Sequence, residues 1–517
     1  MTPDPVPGEI QPQNTIPSTA GMTTKVVKGS LWTLGGQVLP MAVALIATPF
    51  TIRFLGSEGY GVLILVGLIP TYFAFADFGM GIASTKFASE AYAEGKPEKE
   101  GEIVRTAALI ALLCSLVFAV PIFLFSWPIV TAFNVPESFR SAANIALKIS
   151  SVAFVLGILS SVLNTPMLAR LRMDLNTLTN TVPKVLMAVV TPVVLYLGVG
   201  VVGAVWVAFF AAVATILVTT YFSGRLLPAL FRASINKVYW RPLVKFGAGW
   251  IVGMIAAILL VNFEKLALAK MVSVRSLAYY SVAFTFASIA TTFSQAMLQS
   301  LVPAFSQLLS PEKKDEFDGL FARAIRLNLI WLLPTLMVLF VIAEPFFTIW
   351  AGEEFGRESP FPFYILLFGL FFNILAYVPH TTITAKGRTD IFAKLYWVEL
   401  VFYGVSVVVL ISYFGIAGAA AAWSLRVVVD AFIIIWFSKR IAGVPFKFFY
   451  HFNSLGIGFL LLLPPVLFAV IYSNFSLWLI LLVPTCLGLY SILIWKTFVE
   501  DGEREWIRSR IRNFVKI

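Results

Sequence analysis

Ala169-Arg170-Leu171-Arg172-Met173-Asp174 and Ala385-Lys386-Gly387-Arg388-Thr389-Asp390 share the pattern Ala-(Arg/Lys)-x-Arg-x-Asp and stand 216 positions apart. Each copy is a short polar break between two long apolar stretches. Self-similarity at a fixed period marks equivalent loops of a duplicated chain. A duplicated apolar bundle is the usual architecture of a membrane transporter.

Working outward, the same register recurs. Trp32 matches Trp250, Phe87 matches Phe305 and Arg105 matches Arg323, all 218 apart. Tyr60 matches Tyr279 at 219, and Gly200-Val201-Val202-Gly203-Ala204 matches Gly415-Ile416-Ala417-Gly418-Ala419 at 215. The drift from 219 to 215 is what small loop deletions produce.

Hydrophobic residues make up 59% of the chain and charged residues 13%, against about 25% charged in soluble domains. Apolar stretches long enough to cross a hydrocarbon core recur throughout. Fourteen spans are expected. The first half carries 30–53, 60–83, 103–126, 143–168, 178–199 and 201–223. The second carries 245–268, 277–302, 321–343, 361–385, 391–412 and 414–438, and a final pair follows at 453–473 and 476–496. Their length excludes barrel strands of about 9–11 residues. The expected fold is therefore an all-α polytopic membrane protein.

The net charge of +11 is topological. With the N-terminus inside, 29 of the 38 Lys and Arg fall in inner segments, six in outer segments and three within spans. This is the positive-inside pattern, and it places both termini in the cytoplasm. It is not a nucleic-acid footprint. Six spans per repeat make the repeats parallel, related by an axis along the membrane normal. The expected units are a disordered cytoplasmic tail at 1–24, an N-lobe at 25–228, a C-lobe at 229–440, and a peripheral helix pair with a cytoplasmic tail at 441–517. Residues 1–24 lack the order of a cleaved signal peptide. Cys114 and Cys486 lie inside spans as small core residues, with no disulfide or metal spacing.

Arg53-Phe54-Leu55-Gly56-Ser57-Glu58-Gly59-Tyr60-Gly61, followed by Ala76-Asp77-Phe78-Gly79-Met80-Gly81, resembles the opening of bacterial polysaccharide and O-antigen flippases. These belong to the superfamily that also holds MATE multidrug antiporters and the peptidoglycan-precursor flippase. The resemblance covers nearly the whole chain. It implies alternating-access movement of a polyprenyl-diphosphate-linked oligosaccharide from the cytoplasmic to the periplasmic leaflet of the inner membrane. Polymerase and glycosyltransferases of the same pathway are the implied partners. The runner-up is a cation-coupled antiporter of the MATE kind.

Charges inside hydrocarbon are expensive and mark function or tight pairing. Arg426 lies mid-span, with Asp430 one turn later on the same face. Counted from a turn near Tyr413, Glu399 returns to the same depth. The three form either an ion cluster holding a helical hairpin together or a cation or proton site. Lys184 occupies the position equivalent to Glu399, 215 residues earlier. It either holds substrate phosphates in a cavity or snorkels to the inner surface. Lys148, Glu264 and Lys265 lie near outer helix ends, where snorkelling is expected. Lys148 nonetheless joins the candidate substrate contacts with Lys184, Arg426 and Asp77, and Glu264 joins Glu399 and Asp430 as a candidate coupling group. Asp77, flanked by Gly79 and Gly81, either caps a helix break or meets substrate. His380 reads as a structural histidine. The Asp of each duplicated loop is expected to cap the following helix, and the basic residues there to anchor the chain at the cytoplasmic surface.

A membrane enzyme would present catalytic groups on large loops, whereas the outer loops reach only about sixteen residues (345–360). There is no Asp-x-Asp metal-sugar pattern and no phosphate-cradling Gly-x-x-x-x-Gly-Lys-(Ser/Thr) motif. No enzyme activity and no cofactor is expected, beyond coupling to a proton or sodium gradient.

Overall fold

The computed structural model describes residues 19–444, 452–472 and 477–497. The C-terminal tail and residues 1–18 lie outside them. Among the described residues the chain is helical throughout, with no strand. Ten segments are long and apolar enough to cross a membrane, and the chain is a multi-pass membrane protein.

The long helices are α1 (Thr19–Thr71), α2 (Met80–Ala93), α3 (Pro97–Leu124), α4 (Glu137–Leu163), α5 (Met173–Tyr196) and α6 (Gly200–Leu226) in the first half. The second half holds α7 (Trp240–Met271), α8 (Val274–Ser288), α9 (Thr291–Gln307), α10 (Lys314–Ala351), α11 (Pro360–Ala385) and α12 (Asp390–Ala442). α13 (Phe452–Tyr472) and α14 (Leu477–Thr497) follow. Ten differs from the expected fourteen for local reasons. α12 runs through two expected spans joined at Gly415, and α1 runs through 30–53 and past Gly56 into 60–83, whose end lies in α2, each glycine having a non-helical backbone. Another expected span, 277–302, is divided between α8 and α9. α1 begins at Thr19, inside the stretch expected as tail.

The glycine joints are turns. A Cβ on Gly418 would lie 1.9 Å from the Leu410 carbonyl oxygen, so the chain doubles back across Gly415. Gly415 (φ 54°) and its counterpart 215 residues earlier, Gly200 (φ 66°), share a left-handed backbone that only glycine adopts cheaply. The break between α1 and α2 at Thr71–Gly79 likewise recurs 218 residues later between α8 and α9.

The two halves touch at both ends. At one end Ser57 and Tyr279 hydroxyls donate to Glu354 Oε2 at 2.8 and 3.0 Å. Arg275 pairs with Glu58 at 2.7 Å, and Gly61 packs directly on the Val274 carbonyl. At the other end Gly79 meets the Gly247 backbone, where a Cβ on Gly247 would fall 2.0 Å from the Phe78 carbonyl oxygen. Lys86 there lies 4.7 Å over the Phe246 ring. α13 packs against α10 and α14.

The duplicated loops sit at the end opposite Glu354, and their carboxylates are not N-caps. The cap positions are Arg172 and Thr389, with Asp174 and Asp390 inside the first turn. Each Asp is clamped by the arginine two residues before it, at 2.9 Å for Arg172 and 3.0 Å for Arg388. Negative charge in a first turn still suits the helix dipole. Arg170 is more than a surface anchor. It grips the buried Glu100 through two parallel bonds of 2.5 and 3.0 Å and stacks 4.5 Å from the Tyr92 ring.

Candidate substrate cavity and buried charge network

A cavity of about 460 Å³ lies between the halves, in the size range of small-molecule sites. α1 supplies Pro40, Met41 and Thr48, α8 supplies Val282 and Thr285, and α10 supplies Trp350. Among the described residues, Lys184, from α5, is the one charged residue on its wall. Its neighbours one turn on, Met187 and Ala188, line the same surface, so this face of α5 looks inward. Lys184 lines this cavity and is itself exposed. Trp350 closes part of the wall by donating its indole N–H to the Leu45 carbonyl at 2.8 Å.

The contacts around Glu354 join the halves a few residues from Tyr60 and Trp350, which line this cavity. Hydrogen bonds from Ser57 and Tyr279 hold the Glu354 carboxyl below its usual range. A lowered folded value means the stabilisation is present above the ordinary carboxylate value of about 4.3 and is lost only as pH falls through the lowered one. The latch is therefore constant between pH 5 and 8. Glu354→Gln should raise labelling of a Thr48→Cys reporter by an impermeant thiol reagent about two- to five-fold, the scale of an exposed charged contact. Cys114 and Cys486 are first replaced by serine. Equal labelling of both proteins would show that Glu354 does not hold the closure.

The second candidate group lies within the second half. Arg426 Nη1 is 3.5 Å from Glu399 Oε2, and the Asp430 carboxyl lies beside that of Glu399. In a straight helix, residues 27 apart would be separated by about 40 Å. Their meeting follows from the hairpin at Gly415. The ion pair joins Arg426 to Glu399 across the hairpin and not to Asp430 on its own helix, as the four-residue spacing suggests.

Glu264 corrects the expectation most. It is fully buried, far from the snorkelling position read from its place along the span. Tyr280 and Tyr403 hydroxyls donate to its two oxygens at 3.3 and 2.7 Å. Arg426 lies 5.4 Å over the Tyr403 ring, so Glu264 joins the Arg426 group through that tyrosine. Lys265 is drawn inward too, donating to Asn262 Oδ1 at 3.1 Å and lying 4.5 Å over the Phe284 ring. The Asn262 carbonyl in turn accepts from Tyr72 of the first half. Tyr280 and Tyr403 escaped the sequence reading, although Tyr403 stands one turn after Glu399 on the same face.

Three of the four candidate substrate contacts do not line the cavity wall. Lys148 is half-buried, with its ammonium 5.5 Å over the Phe123 ring. Asp77 is committed to the break after α1, its two oxygens accepting from the Gly79 and Gly81 amides at 2.9 and 3.3 Å. Arg426 lies in the buried group and not on that wall. His380 stacks 3.9 Å on Phe392.

The fold is similar to that of solved MATE transporters and of a lipid flippase. The lipid II flippase MurJ in an inward closed conformation aligns over 90% of this chain and 98% of its own, with TM-score 0.68 and 14% identity. An inward-facing MATE multidrug transporter aligns over 79% and 94%, with TM-score 0.65 and 14% identity. Within that class, the pattern defining the polysaccharide biosynthesis protein family matches residues 26–309, and the chain belongs to that family. A candidate O-antigen transporter of Shigella flexneri is 24% identical over 81% of this chain and 99% of its own length. A candidate O-antigen export protein of Yersinia pseudotuberculosis is 21% identical over 68% and 80%.

Proposed function

We propose that this chain is an alternating-access flippase. It moves a polyprenyl-diphosphate-linked oligosaccharide from the cytoplasmic to the periplasmic leaflet of the inner membrane, for polysaccharide biosynthesis. The observation that carries the reading is Lys184, the one charged residue among the described residues on the wall of the cavity between the halves. A diphosphate crossing hydrocarbon needs a cation there, because unpaired charge is costly. The O-antigen proteins among its relatives supply the substrate class.

The two halves act as rocking lobes about the cavity, with the Glu354 end toward the periplasm and both termini in the cytoplasm. The lipid tail remains among apolar surfaces. A second, apolar cleft of about 440 Å³, lined by Leu333, Phe340, Phe368, Phe371, Leu462 and Val466, has the chemistry that suits an isoprenoid chain.

The buried carboxylates favour a second reading, a cation-coupled antiporter of small molecules. Proteoliposomes holding a fluorescent polyprenyl-diphosphate trisaccharide separate the two. The flippase brings the inner-leaflet label within reach of an impermeant quencher faster than protein-free vesicles do. Unchanged label access, together with gradient-driven expulsion of a cationic dye, would replace the flippase with the antiporter.

A further inference from the structure

Three carboxyl groups lie in the interior of the second half, and their charge balance is incomplete. Glu264 is satisfied by two tyrosine hydroxyls. Glu399 and Asp430 are not. They are 7% and 8% exposed, and neither Glu399 oxygen nor Asp430 Oδ1 has a hydrogen-bond partner. One guanidinium, Arg426, stands beside the two of them. Two ionised carboxylates and one guanidinium would leave a net negative charge where water does not screen it. Adjacent buried carboxyls relieve that cost by sharing a proton, which also turns an orphaned acceptor into a donor.

We propose that Glu399 and Asp430 form a binding site for one proton, with Arg426 as its fixed counter-charge. A metal cation suits the site poorly. It needs several oxygen ligands at once, and the guanidinium 3.5 Å from Glu399 repels it. Among the described residues no group of three or more metal-ligating side chains occurs.

The surrounding groups are arranged to transmit a change of charge at the pair. Tyr396 borders it on the same helix. Arg426 rests on the Tyr403 ring, Tyr403 binds Glu264 of α7, and Tyr280 of α8 binds it from the other side. Next to Glu264, Lys265 holds Asn262, whose carbonyl receives the Tyr72 hydroxyl from the first half. From α11, Tyr377 and His380 turn elsewhere, toward Gln295 and Phe392. Loading or emptying the pair changes the pull on Arg426, a few contacts from the junction between the halves.

The use of this proton in transport rests on the flippase reading, but its presence does not. Infrared difference spectroscopy of the full chain in nanodiscs, without substrate, separates the two. At neutral pH the wild type should show a protonated-carboxyl C=O band that shifts in D2O. The band should vanish in both Glu399→Gln and Asp430→Asn, where the remaining carboxyl ionises against Arg426, and persist in Glu264→Gln. Absence of the band from the wild type overturns the proposal, and that measurement needs no variant to fold. So does its loss in Glu264→Gln alone, or its removal by sodium chloride and not by potassium chloride.

Discussion

Lys184→Glu lowers oligosaccharide flipping by roughly 100-fold while the protein remains folded, on the scale of losing a charge-assisted contact and gaining a repulsive one. The reasoning begins with the cavity wall, where Lys184 is alone in carrying charge among apolar and hydroxyl neighbours. In the proposed flippase its ammonium would meet a diphosphate as a point charge with three donors. Reversing the sign would place a carboxylate against phosphate. Lys184→Arg keeps the charge and stays within several-fold of wild type, and Lys184→Ala falls between. Because the side chain faces a cavity and not a packed interior, none of the three should move the unfolding temperature appreciably. Full flipping by Lys184→Glu, measured in proteoliposomes beside the wild type, would end the phosphate-binding role.

The second large effect is on stability. Arg426→Met removes the ion-pair partner of Glu399 from a site where both side chains are almost fully covered. Breaking a buried pair by removing one member costs about 3–5 kcal/mol, because the other charge is left without compensation. The unfolding temperature in nanodiscs should drop by roughly 5 °C. Adding the double substitution Glu399→Gln with Asp430→Asn to the same chain should restore most of that loss, since neither carboxyl is then left without a counter-charge. If the triple variant is as unstable as the single one, the loss comes from packing over Tyr403 and not from charge. This cycle reads stability alone, so it is independent of whether the substrate is a lipid-linked sugar.

These two sites differ in how far the sequence foretells them. The meeting of Glu399 with Arg426 follows from counting residues either side of a turn near Tyr413, because helix rise is constant. The tyrosines around Glu264 do not follow. Glu264 looks surface-bound from its place along the span, and only the packing of α7 against α8 and α12 turns it inward to Tyr280 and Tyr403. Asp174 and Asp390 mislead in a smaller way. An acidic residue opening a helix suggests a cap, but each is one or two residues too late and is held by the preceding arginine.

The first basic residue of each duplicated loop also separates motif from role. Arg170 is clamped in a buried, bidentate pair with Glu100. At the position equivalent to Glu100, Asp318 pairs with Lys314 on its own helix, and Lys386 is exposed. The same six-residue pattern therefore serves as an internal clamp in one half and as a surface loop in the other.

Sequence alone determined the helical membrane class, the duplication and its register, the equivalence of Gly200 with Gly415, and the common depth of Glu399 and Arg426. All of these depend on local backbone geometry or on counting along the chain. Only the tertiary structure decided that Lys184 looks into the cavity, that Arg170 grips Glu100, and that Glu264 is enclosed by tyrosines. In a membrane protein the lipid-facing and protein-facing sides of a helix are both apolar, so periodicity does not report its rotation. Which way a lone charge points is settled by the helices that pack around it.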